Sequence, residues 1–252
     1  MEISVVIHTL NSGSVIRQCL ESVRGFDEII VCDMYSCDDT LQIVREYGAA
    51  VVMHEPCNGI PEPARMFAVG QATKEWVFVV DSDEVVPPAL KAYLYRAVSQ
   101  ANPPDALFVP RKNYFMDTCM RASFPDYQLR FFRKDKFVSW PVTVHSRPEI
   151  NGIAGKIPPK KELAFIHLDD NRVSAIVSKM NNYTDRETER RKNRKATIGG
   201  LIFKPAYRFV QFYLFKGGFR DGKAGFIYSF LHAYYKFLAV SKAIERQGSK
   251  VE

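Results

Sequence analysis

Asp81 and Asp83 stand one residue apart, with Ser82 between them, Glu84 after them and Pro87-Pro88 closing the segment. Two carboxylates at this spacing can approach one hard cation, because Mg²⁺ and Mn²⁺ prefer oxygen ligands and commonly bridge to substrate phosphates. The acids follow Trp76–Val80, an apolar run too short for a helix and rich in valine and aromatic side chains. Such a run predicts a strand buried on both faces, of the kind found in the middle of a parallel sheet. Carboxylates at its exit then lie at the carboxyl edge of the sheet, where α/β proteins place their ligands. A solvated acidic turn has the same local sequence, so the elements around it must decide between the two.

Those elements alternate. Ile3–Ile7 predicts a first buried strand, ended by His8-Thr9-Leu10-Asn11-Ser12-Gly13-Ser14. Ser14 is placed to cap a helix carrying Val15, Ile16, Cys19, Leu20 and Val23 at helical spacing. Phe26–Cys32 predicts a second strand ended by Asp33, and Ser36-Cys37-Asp38-Asp39 leads a helix with Leu41, Val44 and Tyr47 on one face. Ala49–His54 reads as a third strand, 56–63 as a loop, Ala64–Ala72 as a helix, and the strand before Asp81 as the fourth. Alternation on this scale predicts a parallel sheet with right-handed crossovers. Thr9 and Asn11, Asp33, and Asp81 with Asp83 would then converge on one sheet edge, a set able to hold a base, a ribose and a metal-bound diphosphate. No Gly-x-Gly-x-x-Gly follows the first strand and no Walker-type lysine loop is present, which disfavours dinucleotide and ATP sites of those types.

Composition sets the bounds. The 252 residues, 46% hydrophobic and 25% charged, suit a globular α/β domain with an appendage. Five scattered cysteines, odd in number and without a Cys-x-x-Cys pair, argue against a disulfide framework or zinc site and for a reducing compartment. The chain opens into a strand without a leader pattern, so a cytoplasmic location is expected. The net charge of +7 raises nucleic acid as a partner, but an aspartate-rich sheet edge repels phosphate and no nucleic-acid motif is visible.

Ile3-Ser-Val-Val-Ile-His-Thr-Leu-Asn11, Asp27 through Thr40, Ala64-Arg65 and Val80-Asp-Ser-Asp-Glu84 together resemble the family 2 inverting glycosyltransferases of the GT-A fold. Pro125-Asp-Tyr-Gln-Leu-Arg-Phe-Phe132, Val144-His145 and an aromatic tail extend the similarity toward the branch that builds lipopolysaccharide core and related bacterial surface glycans. The resemblance implies a GT-A fold, a mostly parallel sheet flanked by helices. It also implies transfer of a sugar, with inversion, from a nucleotide-diphosphate donor that is usually a UDP-sugar. Thr9, Asn11 and Asp33 match positions that hold the nucleoside, and Arg65 matches a basic residue near the diphosphate. Asp81 matches a ribose or donor-sugar contact. Asp83, with Asp81, matches the ligands of a divalent Mg²⁺ or Mn²⁺ that stabilises the leaving group.

Inverting transfer is a direct displacement and needs a base within hydrogen-bond reach of the acceptor hydroxyl. Asp126, in Ser123-Phe-Pro-Asp-Tyr-Gln-Leu-Arg130, matches the segment where the family places it; Asp117 and Glu149 are the alternatives. GT-A enzymes often supply a late histidine to the metal, and both His145 and His167 follow strand-like runs, His145 being the first candidate.

The chain changes character near Asp170, which divides it into a catalytic domain at 1–170 and a basic, aromatic helical extension at 171–252. Val173, Ile176, Val177, Met180 and Tyr183 mark an amphipathic helix that runs into a basic stretch through Lys195. Phe226, Phe230, Ala233, Phe237, Val240 and Ile244 share a face of the last helix, whose longest uncharged stretch, Ala224–Tyr235, is too short to span a bilayer. Aromatic arcs flanked by Lys and Arg suit helices lying in a membrane interface, while packing on the catalytic domain or in a homodimer is the competing expectation. The expected activity is therefore an inverting glycosyltransferase acting on a glycan or lipid-linked acceptor at the cytoplasmic face of the inner membrane. A catalytically degenerate scaffold and a sugar nucleotidyltransferase are the alternatives.

Overall fold

The structure is a computed structural model that describes residues 1–56, 61–142, 146–168, 172–190 and 196–248. The chain divides into two compact units, Met1–Lys112 with Pro125–Leu168, and Asn113–Phe124 with Asp169–Glu252. The sequence reading left 113–124 in the first portion; here that segment groups with the C-terminal helices.

In the first unit, β1 (Ile3–Thr9), α1 (Ile16–Ser22), β2 (Glu28–Asp33), α2 (Thr40–Glu46), β3 (Ala50–Met53), α3 (Glu62–Gln71) and β4 (Trp76–Asp81) follow one another in the expected alternation. Then come β5 (Glu84–Val85), α4 (Pro88–Val98), β6 (Ala106–Phe115), whose end from Asn113 belongs with β7 (Thr118–Cys119) to the second unit, and, back in the first, β8 (Asp126–Arg133), β9 (Phe137–Ser139), β10 (Glu149–Ile150), β11 (Ala154–Lys156) and β12 (Phe165–His167). Segments β1 to β4 form the parallel half of a sheet ordered β3-β2-β1-β4-β8-β6-β12-β5. Beyond β4 the sheet is mixed: β8 pairs antiparallel with β4 and β6, and β12 antiparallel with β5, while β11 pairs parallel with β6.

The apolar runs behave as two-sided strands because helices cover both faces. Trp76, Phe78 and Val80 pack with Ile16, Leu20, Leu90 and Leu94, while Val77 and Val79 pack on the other side with Ala64 and Ala68 of α3. Phe131 of β8 stacks on Trp76 with ring centroids 5.0 Å apart, and Phe165 stacks on Phe78 at 5.3 Å. Truncating one such buried ring costs about 3–5 kcal/mol, so these contacts hold the two halves of the sheet in register.

Local capping differs from the expectation in one respect. Ser14 makes no cap; α1 starts after Val15, and the backbone carbonyl of Ser12 accepts from the amides of Val15 and Ile16. The side chains that tie this loop down come from the first residue of α2 and the segment just before it: Thr40 Oγ1 accepts from Ser12 N and Asp38 Oδ2 from Gly13 N. A Cβ at Gly13 would lie 1.8 Å from Asp39 Oδ1, so a larger residue there would displace the exposed Asp39 side chain.

The second unit contains α5 (Val173–Arg190), α6 (Ile198–Val210) and α7 (Gly222–Gly248), with a π-helical turn at Gln211–Phe215. Its core joins Phe115, Met120, Ala224 and Leu231 to Ile176, Val177 and Met180 of α5. The face expected on the last helix is divided: Ala233 and Val240 are buried, while Phe226, Phe230 and Phe237 remain exposed. No helix among the described residues is long and apolar enough to cross a membrane.

Candidate functional site

Parallel pairing of β1 with both β2 and β4 brings three strand ends to one edge, with Thr9 opposite Asp33 and His8 opposite Asp81. Asp81 is the most enclosed acid of the pair. Its Oδ1 accepts from Arg65 Nη2 at 2.9 Å and its Oδ2 from Arg130 Nη2 at 2.6 Å. Burial raises the carboxyl pKa, but Arg130 and Arg65 more than offset this and hold it well below the usual carboxylate range. Trp140 lies against both guanidinium groups, 5.3 Å from Arg65 Cζ and 5.9 Å from Arg130 Cζ. Arg65 therefore occurs as expected at this edge, but its charge is committed to Asp81.

His8 Nε2 accepts from Arg65 Nε at 3.2 Å and lies 3.2 Å from Asp81 Oδ1. Burial, then Arg65, lowers its pKa to about 3, so the ring is neutral at ordinary pH and its contact with Asp81 is not an ion pair. Among the described residues, His8 Nδ1, Thr9 Oγ1, Arg130 Nη1 and Trp140 Nε1 are buried without a hydrogen-bond partner. Each unmet polar group costs about 1–3 kcal/mol, and such a cluster at the exits of several strands is a feature of sites rather than of cores.

Asp83 differs from Asp81. Its side chain is 35% exposed and faces His167, whose Nε2 lies 3.3 Å from Asp83 Oδ2. Pairing of β12 with β5 sets His167 opposite Glu84, and Leu168 N donates to Asp83 O at 2.7 Å. Burial depresses the His167 imidazole pKa, but the hydrogen bond to Asp83 together with the negative charges of Asp83 and Glu84 outweighs burial and Arg111, leaving it raised. With both oxygens of Asp81 held by arginine, Asp83 and His167 are the pair that can face a cation. No cluster of three or more His, Cys, Asp or Glu side chains is gathered among the described residues. One carboxylate and one imidazole still fit Mg²⁺ or Mn²⁺, which complete their shells with water and phosphate oxygens. His145 lies outside the described residues.

Glu84 is fully buried and links this edge to the next strands. Its Oε2 accepts from Asp81 N at 3.0 Å, and its Oε1 lies 3.3 Å from Arg111 Nη1. Burial and then Asp81 raise the Glu84 carboxyl pKa. Arg111 also reaches Asp126, the residue opposite it in the β6–β8 pair: Nη2 and Nε lie 2.7 and 3.0 Å from Asp126 Oδ2. Gln128 Nε2 donates to Asp126 Oδ1 at 2.9 Å. Asp81, Glu84, Arg111 and Asp126 thus form one continuous series of polar contacts. Of the alternative bases, Glu149 stands on the separate β9–β10 pair and accepts from Ser139 Oγ at 2.7 Å. Asp117 belongs to the second unit, in a left-handed turn at φ 58°.

The nucleoside candidates fold onto one another. Asp33 accepts from Ser36 N at 2.8 Å and Ser36 Oγ at 2.6 Å. Ser36 Oγ accepts from Asn11 N, and Asn11 Oδ1 accepts from Cys37 N, each at 2.8 Å. Asn11 and Tyr35 adopt positive φ, 50° and 61°, which turns both loops at the strand exits. A hydroxyl contact between Ser12 and Ser82, at 2.9 Å, ties the loop after β1 to the Asp81-Ser82-Asp83 turn.

Sequence reasoning passed over Arg111 and Trp140, and it quoted Glu84 and Arg130 without a role. The signal for Arg130 was available: an arginine between Leu129 and Phe131 in a strand must meet a carboxylate if that strand is central. For Arg111 and Glu84 no local pattern announces the pairing.

Comparison with known proteins follows the same outline. Residues 4–149, more than half of the chain, match the profile described as glycosyl transferase family 2. The chain is 25% identical to the lipopolysaccharide core biosynthesis glycosyltransferase LpsC of Rhizobium meliloti, covering 99% of this chain and 94% of that protein. It is 26% identical to an uncharacterized glycosyltransferase of Rickettsia conorii, covering 97% and 90%. Among solved structures, the mannosyltransferase PcManGT of Pyrobaculum calidifontis, in complex with GDP-Man and Mn²⁺, aligns with a TM-score of 0.59 at 15% identity over 96% of this chain and 87% of that one. TarS of S. aureus aligns with a TM-score of 0.53 at 16% identity, over 96% of this chain and 55% of that one.

Proposed function

The chain belongs to glycosyl transferase family 2 and has the GT-A fold, and on that premise we propose that it transfers a sugar, with inversion, from a UDP-sugar to a glycan or lipid-linked acceptor of the cell envelope. The observation that carries this reading is the series from Asp83–His167 through Asp81 and Glu84 to Arg111–Asp126, which runs from a cation-competent pair to a candidate base. Thr9, Asn11 and Asp33 hold the nucleoside, each Asp33 oxygen keeping a lone pair beyond its bond to Ser36. Asp81 fixes Arg65 and Arg130, whose positive charge favours a diphosphate at the same edge. Asp83 and His167 hold a divalent cation, which when bound stabilises charge on the departing nucleoside diphosphate.

The acceptor oxygen attacks the anomeric carbon as the bond from that carbon to the diphosphate oxygen breaks, and the hydroxyl proton passes to Asp126. Gln128 and Arg111 orient that carboxylate. An acceptor in lipopolysaccharide or a related surface glycan is supported by the full-length similarity to LpsC. Such an acceptor places the reaction at the cytoplasmic face of the inner membrane. A divalent cation and a nucleotide sugar are supported by the ligands of the mannosyltransferase of the same fold.

The test is a panel of nucleotide sugars scored by thermal stabilisation with and without Mn²⁺, followed by transfer assays with the stabilising donor. A UDP-sugar should stabilise the protein only when the cation is present. Stabilisation by no nucleotide sugar, or turnover that exchanges pyrophosphate instead of releasing nucleoside diphosphate, would overturn the reading.

A further inference from the structure

The second unit keeps an unusual quantity of aromatic surface in contact with solvent. Ile198, Phe203 and Phe215 are 74%, 74% and 77% exposed, and Ile202 and Tyr207 are also mostly exposed. Other rings of the same unit pack on one another. Phe219, Tyr213, Phe226, Phe209 and Phe230 form a ladder, with successive ring centroids 6.5, 5.7, 5.5 and 6.5 Å apart. Ile202 lies seven residues before Phe209 on α6 and so shares its helix face. The π-helical turn at Gln211–Phe215 ends the helix with Leu214 and Phe215 exposed. Contiguous apolar surface of this kind marks an interaction site rather than scattered exposure.

Charge decides between occupants. Between residues 196 and 235 the basic side chains are Lys204, Arg208, Lys216, Arg220 and Lys223, and the single acid is Asp221. Asp221 is turned inward, 3% exposed, accepting from Arg121 N at 2.8 Å and facing Arg121 Nε at 3.2 Å. The outward charge of this segment is therefore of one sign. The Arg208 guanidinium and Lys216 ammonium sit 4.5 and 4.3 Å from the Phe212 centroid, and the Arg220 guanidinium sits 5.4 Å from that of Phe219. The charged heads of these side chains thus lie over aromatic rings as cation–π contacts. A second copy of the chain would bring these like charges together, whereas an anionic surface neutralises them. With no helix able to cross a bilayer among the described residues, the surface must be met from one side.

We propose that α6 and the first turns of α7 form a docking surface for an anionic lipid bilayer, with the aromatic ridge entering the headgroup region and the cations pairing with lipid phosphate. Its use in bringing enzyme and acceptor together rests on the lipid-linked acceptor proposed above; the surface itself does not.

The full chain is sedimented with vesicles of equal phosphatidylglycerol and phosphatidylcholine, and with phosphatidylcholine alone. It should partition onto the anionic vesicles at low salt, much less onto the neutral ones, and retain part of its binding at high salt because apolar burial is not screened. Phe203→Ser with Phe215→Ser should weaken partition roughly ten-fold or more, and each of Lys204→Gln and Lys223→Gln about five-fold. These positions are exposed, and circular dichroism checks that the variants fold. Failure of the full chain to bind anionic vesicles at low salt overturns the proposal, as does equal binding to both vesicles. So does a concentration-dependent dimer that the paired serine variant dissolves. Donor binding is measured on the same samples, so loss of that reading and loss of this one are distinguished.

Discussion

Arg111 holds Glu84 and Asp126 together, with Nη1 3.3 Å from the buried Glu84 Oε1 and Nη2 2.7 Å from Asp126 Oδ2. One guanidinium thus connects the carboxyl group that anchors the Asp81 backbone to the carboxyl group proposed to accept the substrate proton. A bidentate contact to a single oxygen, completed by Gln128 on the other, restricts the Asp126 carboxylate to one orientation.

Asp126→Asn keeps this shape and removes the basicity. Transfer to acceptor should fall by about 10²–10⁴, with donor affinity unchanged. Full transfer rates in this variant would move the role to another residue. Arg111→Gln should act on stability as well, because it leaves Glu84 buried without its cation; a loss on the order of 3 kcal/mol is expected in denaturant unfolding.

The two aspartates of the Asp-Ser-Asp turn should separate cleanly. Asp81→Ala removes the ion-pair partner of buried Arg130 and leaves Arg65 only its 3.8 Å contact with Glu62, and should cost about 3–5 kcal/mol of stability. Asp83→Ala, at a more exposed position, should leave the unfolding midpoint nearly unchanged while abolishing transfer. Equal stability loss in both variants would contradict the division of roles argued from their contacts.

Chelation provides a third check. Excess EDTA should abolish transfer, and Mn²⁺ or Mg²⁺ should restore it. His167→Ala should raise the cation concentration needed for half-maximal donor binding, read by titration calorimetry with UDP. An unchanged requirement in His167→Ala would assign the cation to other groups.

Acid sensitivity is expected from His232, stacked on Phe212 with centroids 4.0 Å apart and set near Arg208 and Lys216. Burial first, then these cations, lowers its pKa from 6.5 to about 3. The unfolded chain therefore binds a proton below pH 6.5 that the folded chain refuses, so stability falls with pH through that range and is present above it. Between pH 7 and 5 this one group should remove up to about 2 kcal/mol, and His232→Phe should flatten that part of the curve. A pH dependence identical in the two proteins would show that His232 does not carry it.

Much of the fold is legible without coordinates because its signals are local. Trp76–Val80 and Ile29–Cys32 are apolar throughout and Ile3–Ile7 is broken only by Ser4, the pattern of strands covered on both faces, and the helical patterns between them dictate parallel crossovers. Parallel strands share a direction, so their exits share an edge, and Thr9, Asp33 and Asp81 are brought together by topology alone. Ser14 shows where local reading stops. Its residue type suits a cap, yet the loop is fastened by Thr40 of α2 and by Asp38 just before it, whose proximity is a tertiary matter.

The sequence by itself determined the alternation of strands and helices in the parallel half, the edge on which the acids gather, and the family. Only the tertiary structure decided which charge meets which. Arg130 reaches Asp81 across 49 positions of sequence, Arg111 reaches Glu84 across 27, and His167 meets Asp83 through pairing of β12 with β5. It also decided that the ladder from Phe219 to Phe230 faces outward beside its cations while Ala233 and Val240 face in. The reason is physical. Periodicity is a property of neighbouring residues, whereas the strength of a buried ion pair depends on a few ångströms between groups that the chain brings together only after folding.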